Sequence, residues 1–311
     1  MWDDYEYYDL RREAKRDFRR VAIALILQET LLVLTAYGVQ DALAAYYRAS
    51  HPSMSTGEIY ELVWNTGFDM IAATLVGLAV VLLLIGGRMR LTPGERFGAR
   101  RLLIAIVGVN GMQLLATLVT IPLENFVESL GYSLEQAAEM STGTSESVSM
   151  FVYSVIVAPF VEEVIFRGAV QRWLLPWGRG FALFASAALF GLMHNNLVQL
   201  PVAVACGLLF GYIAQRFSLR ASILAHAANN LIVEVIGLLP DEWDAVWMAY
   251  SIMMLLSAAY LLYWCLTRRA ELIEWCRGDG IPAGRWFLTS IPVLLLLAMY
   301  IVRTLQSAVP V

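Results

Sequence analysis

Long apolar runs separated by short polar segments make up most of the chain. A transmembrane helix needs about 20 mainly apolar residues, so each run is a candidate span. The predicted spans are 21–40, 69–87, 102–123, 148–174, 181–195, 200–215, 221–239, 246–267 and 286–305. The fifth and sixth spans are short and are expected to form a hairpin around His194–Pro201. The pattern therefore predicts an all-α, polytopic integral membrane protein, a helical bundle with about nine transmembrane helices.

The same pattern predicts the organisation of the chain. Residues 1–20 are expected to form a cytosolic juxtamembrane tail, with its arginines at the lipid headgroups or in solvent. Residues 21–311 are expected to form a single membrane domain, in which 41–68 and 124–147 are the longest loops. The N-terminal segment is too long and too acidic for a signal peptide, so the first apolar run is predicted to remain as a helix.

Composition agrees with a protein built for lipid. The chain is 59% hydrophobic and 15% charged, whereas a soluble globular chain is about 25% charged. The three cysteines offer neither a paired disulfide framework nor the spacing of a zinc ribbon. The sequence has no concentrated basic face with interleaved aromatic residues, so nothing in it indicates nucleic-acid binding.

The distribution of basic residues predicts the orientation in the membrane, because cytosolic loops of membrane proteins are enriched in Lys and Arg. Of the 22 Lys and Arg residues, only Arg48, Arg167 and Arg303 do not fall in loops on one side of the predicted topology. The residues assigned to the cytosolic side are Arg11, Arg12, Lys15, Arg16, Arg19, Arg20, Arg88, Arg90, Arg96, Arg100, Arg101, Arg172, Arg179, Arg216, Arg220, Arg268, Arg269, Arg277 and Arg285. The opposite loops, such as the acidic segment Asp241–Asp244, are acidic or neutral. The N-terminus is therefore predicted to be cytosolic and the C-terminus to lie on the other side.

The two short helices are expected to pack closely. Gly207 and Gly211 form a GxxxG motif, and Ala187 and Gly191 form a similar pair of small residues. Such stripes let helix backbones approach within a membrane. Alternatively, these small residues have no packing role and are present only because they are frequent in membrane helices.

Two adjacent acids, Glu162 and Glu163, lie inside an apolar run, where a charged side chain costs a few kcal/mol. Glu163 and Arg167 are four residues apart, so on a helix they share a face and form a pair. Glu162 points about 100° away and is left free to act on a group from another helix. Pro159 is expected to kink the helix or to open a carbonyl toward a cavity. The structural alternative, an ion pair that only locks two helices together, does not account for Glu162.

Two of the three histidines fall within predicted spans. His194 ends one apolar run, and His226 is followed one helical turn later by Asn230 on the same face. A single intramembrane histidine is more often a helix–helix hydrogen bond than a catalytic group. Two histidines with an asparagine and a glutamate pair supply a general base, a proton-sharing partner and neutral donors for an oxyanion. Together these groups are suited to activating water against an amide.

Nucleophilic catalysis is the weaker interpretation of these residues. Cys206 is expected to face a glycine-rich packing surface, and Ser222 has no obvious general base nearby in the sequence. A serine or cysteine nucleophile needs such a base within hydrogen-bond reach.

Three motifs occur in order on successive predicted helices. Glu162–Arg167 fits EExxxR, Phe190–His194 fits FxxxH, and His226–Asn230 fits HxxxN. In this order they resemble the CAAX-protease and bacteriocin-processing (CPBP) family of intramembrane proteases. The resemblance covers about residues 148–240, which are expected to form the protease core.

The resemblance implies a role for each of these residues. Glu162 and His194 would together activate water. His226 and Asn230 would stabilise the oxyanion. Glu163 and Arg167 would support these four residues. The resemblance is compatible with two mechanisms, that of a metalloprotease and that of a purely glutamate-dependent enzyme. If a metal such as zinc is bound, its ligands would be Glu162, His194 and His226. The implied substrate is a peptide or a membrane protein, lipidated or not.

The sequence also suggests where the site lies. At about 1.5 Å per residue, Glu162 and His226 fall roughly 10 Å from the cytosolic boundary, and His194 falls nearer the opposite side. The site is therefore expected to open to the cytosolic half, with Glu234 as a further polar contact or as a helix-end residue. The compact loops favour the plasma membrane of a prokaryote.

Two other classes of function stay open. A transporter would use the same polar residues as an ion or proton relay, but it predicts paired broken helices in corresponding halves, and the sequence has no such symmetry. The second is a catalytically idle membrane scaffold or immunity factor that retains the motifs for folding.

Overall fold

A computed structural model of the chain describes residues 4–89, 95–142, 145, 147–240, 242–277 and 282–311. Arg90 and Asp241, which entered the charge argument, lie outside these residues. Within them the protein is all-α, as predicted, apart from two short strands. The helices are α1 Asp4–Ser50, α2 Thr56–Thr66, α3 Phe68–Ile85, α4 Ala99–Ser129, α5 Glu135–Thr142, α6 Val148–Trp177, α7 Arg179–Met193, α8 Gln199–Arg216, α9 Leu219–Gly237, α10 Asp244–Thr267, α11 Arg269–Cys276, α12 Ala283–Phe287 and α13 Ile291–Leu305.

Membrane-length helices account for much of the bundle. In the part of the chain that the structure describes, 5 helices are long and apolar enough to cross a membrane, namely α1, α3, α4, α6 and α10. Helices α7 and α13 are apolar but have only 15 residues each. The protein is therefore an integral membrane protein, but the predicted count of nine spans is not confirmed.

The first helix is longer than the sequence pattern predicts. It runs without a break over 47 residues, from within the predicted tail 1–20 into the predicted loop 41–68. Ala14 and Phe18 are fully buried in the main core, so the tail is packed into the bundle from this point. The rest of that loop contains α2, whose N-terminus is stabilised by a capping box between Ser55 and Glu58.

The arginine-rich segments meet at one end of the bundle. Arg88, just after α3, donates to Asp17 of α1 at 2.7 Å, and its guanidinium lies 3.9 Å from the ring centre of Trp173 in α6. Glu95, before α4, pairs at 2.8 Å with Arg216 at the end of α8. These contacts join helix ends that the charge pattern assigned to a single side. We call this the arginine-rich end.

The opposite end of the bundle is closed by loops and by the C-terminus. Strands β1 (Tyr132–Ser133) and β2 (Val309–Pro310) pair antiparallel there. The turn between α7 and α8 is held by a hydrogen bond of 3.0 Å from Leu197 N to Ser307 Oγ. We call this the distal end.

Helices α7 and α8 form the predicted hairpin, and glycines set their spacing. A Cβ at Gly207 would lie 3.1 Å from Phe190 Cδ1, and one at Gly211 would lie 2.7 Å from Leu183 Cδ1. Gly191 faces α8 at a place with no room for a side chain. The small-residue stripes therefore lie in the packed interface, where they bring the α8 backbone close to α6 and α7.

Candidate active site

Helix α6 carries the acid pair and is locally widened. It contains two π-helical turns, Tyr153–Val157 and Val164–Val170. In the first turn the Ala158 N–H donates to the carbonyl of Tyr153, five residues earlier. Continuing this register would require an N–H at Pro159 for the carbonyl of Ser154, and proline has none. Such widened turns are frequent at functional sites.

Asn230 of α9 fills the place that the proline leaves. Its Nδ2 donates to the Ser154 carbonyl at 2.9 Å, and its Oδ1 accepts from Asn229 Nδ2 at 3.3 Å. Pro159 thus opens a carbonyl, as the sequence suggested, and that carbonyl fixes the orientation of Asn230. Because an amide nitrogen has two N–H groups, one donor remains for a group in the site.

Glu163 is fully buried and has three polar partners, one in an ion pair and two in hydrogen bonds. Its Oε1 lies 2.9 Å from Arg167 Nη1 and 3.0 Å from His226 Nδ1. Its Oε2 accepts from Ser222 Oγ at 2.5 Å. A buried carboxylate is tolerated only when it is paired and hydrogen-bonded, and these contacts satisfy that condition. Glu163 therefore positions other side chains and has no path to a substrate.

Arg167 links this acid to the α7–α8 hairpin. Its Nη2 donates to the carbonyl of Gly207 at 3.1 Å, which the absence of a side chain at that position permits. Its guanidinium lies 4.2 Å from the ring centre of Phe190 and 5.7 Å from that of Phe210. A guanidinium over aromatic faces gains a cation–π attraction that strengthens when water is excluded. Arg167 therefore holds together three helices of the site.

Glu162 has a different environment from its neighbour. Its side chain is 18% exposed, against 0% for Glu163, and it lines an internal cavity. Its Oε2 lies 3.8 Å from Nε2 of His226, which is longer than a hydrogen bond. A water molecule beside this pair of atoms, on the cavity side, can hydrogen-bond to both. The unequal roles that the spacing predicted for the two acids correspond to this difference in burial.

The rings of both histidines contact the ring of Phe190. His194 caps the end of α7, and its Nδ1 lies 2.8 Å from the Phe190 carbonyl. A carbonyl only accepts, so Nδ1 carries the proton and Nε2 keeps a free lone pair. His226 stacks on Phe210 with ring centres 4.5 Å apart, and Phe190 meets it edge-on at 6.0 Å.

One cavity of about 460 Å³ gathers four of the six predicted site residues. Glu162, His194, His226 and Asn230 all line it. Glu163 and Arg167 lie behind this wall and contact the lining residues. The cavity is large enough for several residues of an extended peptide and for water.

Sequence reasoning missed a second polar cluster beside His194. Asn195, whose φ is +51°, donates from Nδ2 to Glu29 of α1 at 3.0 Å. The same carboxylate pairs with Arg303 of α13. Two features of the sequence could have indicated this cluster. Glu29 is a charged residue within an apolar run, and Arg303 is a basic residue outside the loops predicted to be cytosolic. The first and last long helices thus hold the segment that carries His194.

Ser222, Cys206 and Glu234 lie in or next to the site. Ser222 has a carboxylate partner, which the sequence did not suggest, but it is fully buried behind Glu163. Cys206 lines the cavity as well as the packed face of α8. Glu234 is buried rather than at a solvated helix end, and it accepts from Ser145 Oγ at 2.8 Å and from Ser145 N at 3.1 Å.

The residues suggested for a metal do not form a preorganised site. Zinc is held by three or four His, Cys or carboxylate ligands at about 2.0–2.3 Å. Among the residues that the structure describes, no group of 3 or more His, Cys, Asp or Glu side chains is arranged to hold a metal ion. Glu162, His194 and His226 therefore do not fit a three-ligand zinc centre in this conformation.

Comparison with known families points to the same segment. Residues 144–232 match the family described as type II CAAX prenyl endopeptidase Rce1-like. The match covers less than a third of the 311-residue chain but includes all the predicted site residues. Helices α1–α5 and α10–α13 lie outside it. No curated protein and no solved structure gives a significant match.

Proposed function

We propose that this chain, whose segment 144–232 belongs to the CPBP family of intramembrane proteases, is an intramembrane endopeptidase that cleaves its substrate with activated water. The observation that carries the proposal is the single cavity lined by Glu162, His194, His226 and Asn230. The family supports a CAAX protease-type enzyme with a peptide substrate in a membrane. The division of roles among the residues is our own inference.

Glu162 acts as the general base. Of the two adjacent acids it is the one that reaches the cavity, and its carboxylate takes a proton from a water molecule as the water oxygen attacks the scissile carbonyl carbon. The free Nε2 lone pair of His194 accepts a hydrogen bond from the same water and orients it. When the tetrahedral intermediate collapses, the proton on Glu162 passes to the leaving amine nitrogen.

His226 and Asn230 stabilise the oxyanion. Because Glu163 Oε1 accepts from Nδ1 of His226, the ring donates to the oxyanion from Nε2 as the doubly protonated imidazolium, whose charge the Glu163 carboxylate balances. The Ser154 carbonyl holds one N–H of Asn230, and the other N–H is left for the developing negative charge. Donors fixed before the reaction stabilise such charge most effectively, because they need no reorganisation as it forms.

The first experiment compares new peptide termini in membranes from cells that express wild type, Glu162→Gln or Glu128→Gln at matched levels. Glu128 is an exposed acid at the end of α4 and serves as the control. Termini present with wild type and Glu128→Gln but absent with Glu162→Gln would support the proposal. Undiminished termini with Glu162→Gln would show that another group is the base. A phenotype lost in Glu162→Gln without any termini in wild type would indicate transport or binding instead.

A further inference from the structure

The cavity is closed toward the arginine-rich end. From Glu162 in that direction, every residue of the turn Val164–Val170 is buried. The rings of Phe190 and Phe210 and the paired Arg167 form the floor beneath the histidines. Beyond them lies the main apolar core, which includes Trp173 and Leu174. A polypeptide could not reach Glu162 from this end without separating the packed helices.

The rest of the cavity wall extends toward the distal end. Its remaining lining includes Met70 at the start of α3, Met140 of α5, Ser145 before α6 and Glu234 near the end of α9. Met140 is 68% exposed, so this wall reaches the protein surface. The described lining residues come from the middle of the bundle and from the distal end. The position of His194 at the distal end of α7 agrees with this direction.

From these two observations and the charge pattern, we infer that substrate reaches the site from the non-cytosolic side of the membrane. Arginine-rich loops mark the cytosolic face of membrane proteins, and the cavity opens at the opposite end. The sequence alone had suggested an opening to the cytosolic half. This inference rests on the proposed peptidase function and specifies its substrate class, a membrane-anchored or exported polypeptide cleaved in its non-cytosolic part.

The chemistry of the lining narrows the substrate further. Among the described residues that line the cavity there is no Lys or Arg, whereas Glu162 and Glu234 are acidic. A free C-terminal carboxylate buried there would lack a cationic partner and would face like charges. Amide side chains such as Gln113, Gln199 and Asn229 instead suit the backbone groups of an extended segment. The site therefore fits an interior stretch of chain rather than the last few residues of a carboxy-terminal tail.

The test uses thiol accessibility and does not depend on activity. Cys206, Cys265 and Cys276 are replaced by alanine, and one cysteine is introduced as Met140→Cys at the cavity mouth or as Arg100→Cys at the exposed start of α4. A membrane-impermeant maleimide is applied to right-side-out and to inverted vesicles. We expect label on Met140→Cys only in right-side-out vesicles and on Arg100→Cys only in inverted ones.

Any other labelling of Met140→Cys overturns the inference. Label only in inverted vesicles would place the mouth at the cytosol, and label in neither would show that the mouth is closed to water. Both outcomes leave the peptidase proposal untouched, because it is judged by Glu162→Gln. The termini from that experiment give a second check. Cuts should fall in interior, non-cytosolic segments, and cuts confined to the last few residues of cytosolic proteins would contradict the inference.

Discussion

The side chain of Asn230 donates to the backbone carbonyl of Ser154 at 2.9 Å, across 76 residues of sequence. The bond exists because a π-helical turn and Pro159 together leave that carbonyl without a helical donor. A proline that would otherwise weaken the helix thus creates the acceptor that orients a site residue. Local backbone irregularity and tertiary contact depend on each other here.

Replacing this proline should therefore impair the site more than the fold. In Pro159→Ala a new N–H competes for the Ser154 carbonyl, so Asn230 loses its acceptor and the turn before Glu162 tightens. We expect a lower cleavage rate at unchanged or higher protein yield. The control is Pro122→Ala, which removes a proline inside α4 away from the cavity. Equal rates for the two variants would contradict this explanation of the π-turn.

Arg167→Ala should lower the amount of folded protein. It strands Glu163 as a buried charge, and breaking a buried pair from one side costs about 3–5 kcal/mol. Thermal unfolding in detergent would measure the loss. The double variant Glu163→Gln/Arg167→Met removes both charges and should recover much of the stability without recovering cleavage. If the double variant is no more stable than Arg167→Ala, the pair is not what stabilises this region.

Ser222→Ala distinguishes a supporting serine from a nucleophile. The hydroxyl donates to a buried carboxylate, so its loss should reduce stability by about 1–3 kcal/mol while cleavage continues. Removing a true nucleophile would lower kcat about 10⁶-fold. Cys206→Ala is measured in parallel, since that thiol lines the cavity. Abolished cleavage in either stably folded variant would favour a covalent mechanism over activated water.

The glycine stripe of α8 should tolerate no side chain. Gly207→Ala places a Cβ 3.2 Å from Arg167 Nη2, and overpacking of this kind costs about 1–3 kcal/mol. Gly38→Ala in α1 is the matched control, because a Cβ there has nothing within 4 Å. That control should be neutral or more stable by up to about 1 kcal/mol. The measurement is the melting temperature of each purified variant. Similar melting temperatures for Gly207→Ala and Gly38→Ala would show that close packing at Gly207 is not required.

The cluster beside His194 should matter for catalysis although Glu29 and Arg303 lie outside the matched family segment. Arg303→Ala leaves Glu29 without its cation and loosens Asn195, so His194 is held less firmly. We expect slower cleavage at matched protein levels, whereas Arg48→Ala at the exposed end of α1 should behave as wild type. Glu29→Gln/Arg303→Gln should restore yield relative to Arg303→Ala. Wild-type cleavage by Arg303→Ala would rule out the positioning role.

Much of the architecture follows from local pattern. Apolar runs predict membrane helices because the bilayer leaves no other way to satisfy the backbone, and the basic loops converge at one end as the charge pattern indicated. Spacing on α6 also predicted the pairing of Glu163 with Arg167, which the structure contains, because a helix fixes which side chains share a face. Helix ends were less predictable, since α1 continues through a predicted tail and into a predicted loop.

What the sequence could not determine depends on contacts between distant segments. Glu29, Asn195 and Arg303 meet only because α1, α7 and α13 pack together, and no local rule brings such residues into one cluster. The direction in which the cavity opens is likewise set by buried groups such as Arg167 and Phe210, which fill the bundle on the arginine-rich side of the site. Sequence alone thus determined the membrane class and the charge pattern, and it predicted the candidate site residues. Only the tertiary structure decided which groups support them and toward which end of the bundle the cavity extends, because burial and access are properties of the packed bundle.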